Sequence, residues 1–121
     1  MYELQPLYDG HKSFYGKAFV EMWNTGNGTQ YALRSYATTV ATVKRVSPAD
    51  EVPETYEVRV ALNLLSATTL RHVKEFLAQV DSAFKGVTLG WIRKAVNDAR
   101  IVDGNGTEPP YHSVAYAFKK L

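Results

Sequence analysis

The sequence contains no cysteine, carries a net charge of only +2, and has no apolar run longer than a few residues. The absence of cysteine excludes a disulfide framework and a thiolate metal cluster, and nothing else requires an oxidising compartment. The apolar runs are far shorter than the ~20 residues that span a bilayer, and the first residues do not resemble a secretory signal. We therefore expect a cytoplasmic protein without a membrane partner.

The small net charge gives no support for nucleic-acid binding by total charge, so the distribution of charge matters more. Residues 1–46 carry five basic and three acidic side chains, residues 47–66 one and four, and residues 67–102 six and three. The remaining residues, 103–121, balance. This polarity is mild and defines no strong basic patch.

Alternating side-chain character predicts strands in the first half of the chain. These strands cover residues 13–23, 30–36, 38–46 and 55–62, and the first three would form a meander. A turn rich in asparagine and glycine, residues 24–28, separates the first two strands. An acidic loop with two prolines, residues 47–54, precedes the fourth.

Helical periodicity begins after Leu65 and continues to Phe84, with Ser66, Thr68 and Thr69 as N-cap candidates and Gly86 as a left-handed terminus. This spacing places Glu75 on the polar face and predicts a partly exposed His72. A second helix is expected from Thr88 up to Asp103. Its buried stripe would be Leu89, Ile92, Val96 and Ala99.

Residues 111–118 alternate again after two prolines, which favours a last strand at the sheet edge over a short helix. A chain of 121 residues with 45% hydrophobic residues fits one globular domain, residues 1–121. We predict an α+β fold with an antiparallel sheet of four to five strands packed against two helices. Residues 1–65 would be mainly strands, 66–102 a helical pair, and 103–121 a loop and an edge strand.

No residue pattern specifies catalysis, a metal or a cofactor, and we expect none. Gly16-Lys17 lacks the further glycines, the hydroxyl residue and the helix of a phosphate loop. Asp9, His11 and Ser13 would share one face of a strand, but neighbours there lie about 6–7 Å apart, too far for a base and its nucleophile. The three histidines, His11, His72 and His112, have no metal-ligand spacing.

Aromatic and basic residues alternate along the predicted meander, a combination that binds nucleic acid and also forms protein-protein hot spots. The alternative interpretation is that the tyrosines cover the sheet and the basic groups are solvated. A second candidate is the later helix, which could act as the reading helix of a helix-turn-helix. The first candidate face comprises Lys12, Tyr15, Lys17, Tyr31, Arg34, Tyr36, Lys44 and Arg45; the second comprises Arg93, Lys94 and Arg100.

Four blocks occur in order along the chain: LQPLY from Leu4, KSFYGKA from Lys12, SYATTVA from Ser35 and TTLRHVKEFL from Thr68. Together they resemble a family of short uncharacterised proteins of bacteriophages and mobile elements of Firmicutes. The resemblance covers residues 4 to about 79 and supplies no catalytic residue. The chain departs from that pattern in the 47–54 insertion and in the extension beyond Val80, where a specific function could have been added.

The resemblance implies a small accessory protein made in a bacterial host cell. Our first hypothesis is a non-enzymatic protein that binds a host protein or nucleoprotein, such as an anti-CRISPR-type inhibitor of host defence. The second is a nucleic-acid-binding module. The third is a small enzyme that uses Asp9, His11 and Ser13.

Overall fold

The structure, a computed structural model, describes residues 1–10, 13–26, 28–48, 51, 54–103 and 114–121. They form one seven-stranded sheet with two helices, so the predicted α+β class is confirmed with more strands than expected. No helix within these ranges is long and apolar enough to cross a membrane. The strands are β1 (Tyr2–Glu3), β2 (Ala18–Thr25), β3 (Gly28–Ser35), β4 (Thr38–Arg45), β5 (Glu54–Val60), β6 (Ile101–Asp103) and β7 (Val114–Lys120); the helices are α1 (Ala67–Val80) and α2 (Leu89–Asn97).

The strands lie in the order β1-β2-β3-β4-β5-β7-β6. Strands β1 to β5 are antiparallel neighbours, whereas β7 runs parallel to β5 and antiparallel to β6. The prediction that the last strand lies at the edge is therefore wrong. Ile101 and Val102, which we assigned to the helical pair, form the short strand β6 together with Asp103 and cover the outer side of β7.

The register places the apolar residues of neighbouring strands on one face of the sheet. Val20 lies opposite Leu33, Leu33 opposite Ala41, and Ala41 opposite Val60. Both helices add to this core, α1 through Val73, Phe76 and Leu77, and α2 through Ile92, Ala95 and Val96. The opposite face, which we call the open face, carries mostly polar and charged side chains, such as Glu21, Arg34, Lys44, Glu57 and Arg59.

Local capping sets where the helices begin and end. Of the three predicted candidates, Ser66 caps α1, because its side chain accepts a hydrogen bond from the Thr69 N–H. The helix ends at Val80, earlier than expected, and a single 3-10 turn, Ser82–Phe84, follows it. Thr88 caps α2 in the same way, but α2 ends at Asn97. Ala99 is therefore exposed and not buried as predicted.

Candidate functional site

The eight residues of the first candidate face do not form one surface. Lys12 lies outside the described residues, and the other seven are at three places in the fold. Tyr15, Lys17 and Tyr36 lie in turns at one end of the sheet, Arg34 and Lys44 on the open face, and Tyr31 and Arg45 on the face that carries the helices.

The first of these turns, residues 14–17, replaces the predicted start of strand β2. The Lys17 N–H donates to the Phe14 carbonyl oxygen at 3.0 Å, and Tyr15 and Gly16 have φ angles of 52° and 70°. Ser13 Oγ accepts a hydrogen bond from the Tyr15 N–H at 2.9 Å. The chain forms a turn here and not an extended strand, because glycine at the second central position allows the left-handed backbone that the turn needs.

The second turn, residues 35–38, joins β3 to β4 through only two central residues. Ser35 is paired with Thr38, so Tyr36 and Ala37 make the turn with φ angles of 51° and 67°. Two-residue hairpin turns of this kind favour asparagine and glycine, because other residues are strained in the left-handed region. Such strain is often concentrated at functional sites.

The two turns lie side by side, and we call them the paired turns. The Tyr36 N–H donates to the Lys17 carbonyl oxygen at 2.9 Å, and Lys17 Nζ lies 5.9 Å from the centre of the Tyr36 ring. Tyr15 and Tyr36 are 75% and 54% exposed, although both side chains are large and partly apolar. Exposed tyrosines beside a cation are typical of binding hot spots.

A cleft of about 450 Å³ lies between the paired turns and the adjacent open face, and Lys17, Phe19, Arg34 and Tyr36 line it. Arg34 donates to Glu21 at 2.9 Å and to the Ala37 carbonyl oxygen at 3.2 Å, so its guanidinium ties the second turn to the sheet. Lys17 forms no ion pair within the described part of the chain. The structure thus brings together three of the predicted residues, Lys17, Arg34 and Tyr36.

His72, on α1, contacts the first residue of each of the paired turns, Phe14 and Ser35. Contrary to the prediction it is buried, because Ser35 and Phe14 close over this side of α1. Its Nδ1 lies 2.8 Å from Ser35 Oγ, and the Phe14 ring packs edge-on at 4.7 Å between centroids. Burial lowers the pKa of His72, and the negative charge of Asp9 partly opposes this shift.

This serine-histidine pair does not make a nucleophilic site. Ser35 is only 3% exposed, so a substrate cannot reach its oxygen, and the pair instead holds the second turn against α1. Of the set Asp9, His11 and Ser13, His11 lies outside the described residues and Ser13 closes the first turn. No group of three potential metal ligands occurs among the residues with described positions.

Glu75 is a second buried polar residue that we had expected on the exposed face of α1. Its Oε1 accepts hydrogen bonds from the backbone N–H groups of Tyr8 and Asp9 at 2.8 and 2.9 Å, and its Oε2 accepts one from Gln79 at 2.7 Å. The carboxylate therefore fixes the segment before the first turn to α1. Neither spacing nor composition indicated this role, because two of its three partners are backbone groups distant in sequence.

The second candidate face is only partly on α2. Arg93 and Lys94 are exposed on that helix, whereas Arg100 follows its end, is half-buried and has a weak ion pair with Asp98 at 3.9 Å. The helix itself packs against the core. The structure therefore does not align the three basic residues along one helix.

A second concave feature lies on the helix side of the sheet, and we call it the aromatic groove. It has a volume of about 310 Å³ and is lined by Tyr2, Tyr31, Tyr56, Phe76, Gln79 and Tyr116, among others. Burial is the main cause that raises the pKa values of Tyr2, Tyr56 and Tyr116. The sequence does not indicate this groove, because its tyrosines come from four strands distant in sequence.

Comparison with known proteins adds a family but no activity. Residues 2–94 match a family of unknown function, DUF8033. The chain belongs to that family. The matched region contains the paired turns and all of the named groove residues except Tyr116, which lies on β7. Searches of curated proteins and of solved structures each found no match.

Proposed function

We propose that this member of the DUF8033 family is a non-enzymatic accessory protein of a phage or mobile element. Its partner would be a protein or nucleoprotein complex in the cytoplasm of the bacterial host, and its action would be to inhibit a host defence system in the manner of an anti-CRISPR protein. The context comes from the resemblance of the four sequence blocks to phage and mobile-element proteins.

The observation that carries a binding role is the strain in the paired turns. Tyr15, Tyr36 and Ala37 all have left-handed backbones without being glycine, which costs of order 1–3 kcal/mol at each such residue. The two tyrosines nevertheless remain exposed and do not bury their rings in the core. This conformation costs free energy and presents two aromatic rings to solvent. A partner that covers the two rings would account for both properties.

The cleft beside the turns supports a protein partner more than nucleic acid. Phosphate binding depends on the positive charge of basic side chains, and a nearby carboxylate weakens that attraction. On the open face, however, Arg34 is paired with Glu21, while Arg59 and Lys119 both contact Glu57. Tyrosine with a few cations is the composition of a protein hot spot.

The test is affinity capture from a bacterial host lysate with matched surface variants. Tyr15→Asn and Lys17→Glu should each reduce the amount of a specific captured protein at least tenfold, because Asn tolerates the left-handed backbone and neither change affects the core. Lys94→Glu on α2 is the control and should capture as much as the parent protein. Equal capture by all four proteins would contradict the proposal.

The nucleic-acid alternative has its own measurement. Binding to random single-stranded oligonucleotides that weakens steeply with salt, and that is lost in Lys17→Glu, would replace the protein-binding proposal. We expect no such binding. If Lys94→Glu were instead the variant that lost binding, the second candidate face on α2 would be the site.

A further inference from the structure

Two of the four tyrosines that line the aromatic groove use their hydroxyl groups within the protein and offer mainly ring surface to a ligand. The Tyr56 hydroxyl donates to Glu54 Oε2 at 3.1 Å, and the Tyr116 hydroxyl donates to Asp81 Oδ2 at 3.2 Å. These two hydroxyl protons are therefore engaged within the protein. The Gln79 amide is engaged as well, because its Nε2 donates both to Glu75 and to the Gln5 carbonyl oxygen at 2.7 Å.

The charges around the groove favour a cation. Three carboxylates, those of Glu54, Asp81 and Glu75, accept hydrogen bonds from groups that line it. The basic side chain Arg45 also acts on Tyr56, but it is paired with Glu54 at 3.6 Å. Negative charge behind phenol rings strengthens their attraction for a positive charge, because the ring faces already carry partial negative charge.

The size of the groove restricts the ligand to a small group. Its 310 Å³ is at the lower end of the range of about 300–1,000 Å³ seen for small-molecule sites. Tyr56 and Tyr116 stack on one another at 5.6 Å between ring centroids, and Phe76 is buried, so these rings form a rigid wall. Tyr2 is 44% exposed, which leaves the groove open to solvent at that side.

We propose that the aromatic groove is a binding site for an organic cation, either a quaternary ammonium compound or the side chain of a lysine or arginine in a peptide. The attraction comes from the tyrosine rings and from the carboxylates behind them. This site is separate from the paired turns and does not depend on the function proposed for them.

The test compares ligands that differ only in charge. Choline and its neutral isostere 3,3-dimethyl-1-butanol are titrated into the protein at constant ionic strength, while backbone amide NMR shifts are followed. We expect choline to shift the resonances of the groove residues and to bind roughly threefold to thirtyfold more tightly than the alcohol. Equal binding of both ligands, or no shift in the groove with either cation tested, would overturn the proposal.

N-acetyl-arginine amide is the second cation, and its affinity relative to choline distinguishes a peptide side chain from a quaternary ammonium compound. Tyr31→Leu should weaken cation binding at least threefold, whereas Tyr31→Phe should retain it because the ring remains. Tyr15→Leu, in the paired turns, is the control and should bind as the parent does. If Tyr31→Leu does not fold, Tyr2→Leu, at the exposed side of the groove, is used instead. Unchanged cation binding in the folded variant would show that the tyrosine rings do not bind the cation.

Discussion

Replacing Ala37 with glycine should stabilise the protein. Tyr36 and Ala37 form the two-residue turn between β3 and β4, and both have left-handed backbones. Glycine is the preferred residue at the second position of such a turn, because it has no Cβ to clash in this conformation. Ala37 is exposed, so the substitution removes little packing.

The expected gain follows from two opposing terms. An L-residue in the left-handed helical region costs roughly 1–2 kcal/mol, and glycine removes that cost. Glycine also increases the conformational entropy of the unfolded chain, which offsets about 0.4–1 kcal/mol. The net stabilisation should be about 0.5–1 kcal/mol, which would raise Tm by roughly 2–6 °C in a domain of this size. The hydrogen bond from Arg34 to the residue 37 carbonyl oxygen uses only the backbone and should persist.

Thermal unfolding followed by circular dichroism measures the shift in Tm of Ala37→Gly. A second variant, Tyr36→Asn, distinguishes the contribution of this turn to stability from its contribution to partner binding. Asparagine also tolerates the left-handed backbone, but the variant loses the ring contacts with His72 and Lys17, so we expect little change in Tm. Partner capture should fall in Tyr36→Asn and be preserved in Ala37→Gly. A neutral or lower Tm in Ala37→Gly would refute the assignment of strain to this turn.

Three further results are expected. Because burial lowers the pKa of His72 below 6.5, the unfolded chain binds the proton more readily than the folded protein does. The free energy of unfolding should therefore fall as pH decreases below about 7, by at most about 1.4 kcal/mol per pH unit. In urea unfolding from pH 5 to 8, His72→Gln should show a shallower pH dependence than the parent protein, and parallel curves would contradict this. Glu75→Ala should lower the free energy of unfolding in denaturant by roughly 2–4 kcal/mol, because the Tyr8 and Asp9 N–H groups lose their acceptor. Glu75→Gln keeps an oxygen acceptor at Oε1 and should cost only about 1 kcal/mol. Equal losses in the two variants would refute the role of this oxygen. Tyr116→Phe should cost about 1 kcal/mol through loss of the hydrogen bond to Asp81. The pKa of Tyr116 is raised, so the fold favours the neutral phenol, and the parent protein should lose stability above about pH 10. This alkaline loss should be smaller in Tyr116→Phe, and an unchanged alkaline profile would contradict the assignment.

Local sequence signals predicted the parts of the fold that depend on nearby residues. The meander of β2, β3 and β4 follows from alternation and turn residues, and the start of α1 follows from the Ser66 cap. The position of β7 between β5 and β6 could not be predicted in this way, because alternation indicates a strand but not its neighbours. β7 can run parallel to β5 because the chain returns between them through α1, α2 and the antiparallel strand β6.

The candidate site was predicted in part. Tyrosine and lysine in the meander led to Lys17 and Tyr36, which the structure does place together. Period-two reasoning failed at residues 14–17, because a left-handed turn with glycine replaces the strand there. Helical periodicity also placed Glu75 on the polar face and predicted a partly exposed His72, whereas both are buried by segments from the first half of the chain, to which they are hydrogen-bonded. Such contacts between distant segments leave no local pattern.

The place of β7 has a consequence for folding during synthesis. It is the last of the seven strands in chain order, so the ribosome makes it after both β5 and β6, the strands that it joins. Until then one edge of β5 has unpaired backbone groups, and the core lacks Phe118. A nascent chain is therefore exposed to aggregation and proteolysis until β7 emerges, which favours folding of the sheet as one unit over stepwise folding from the N-terminus.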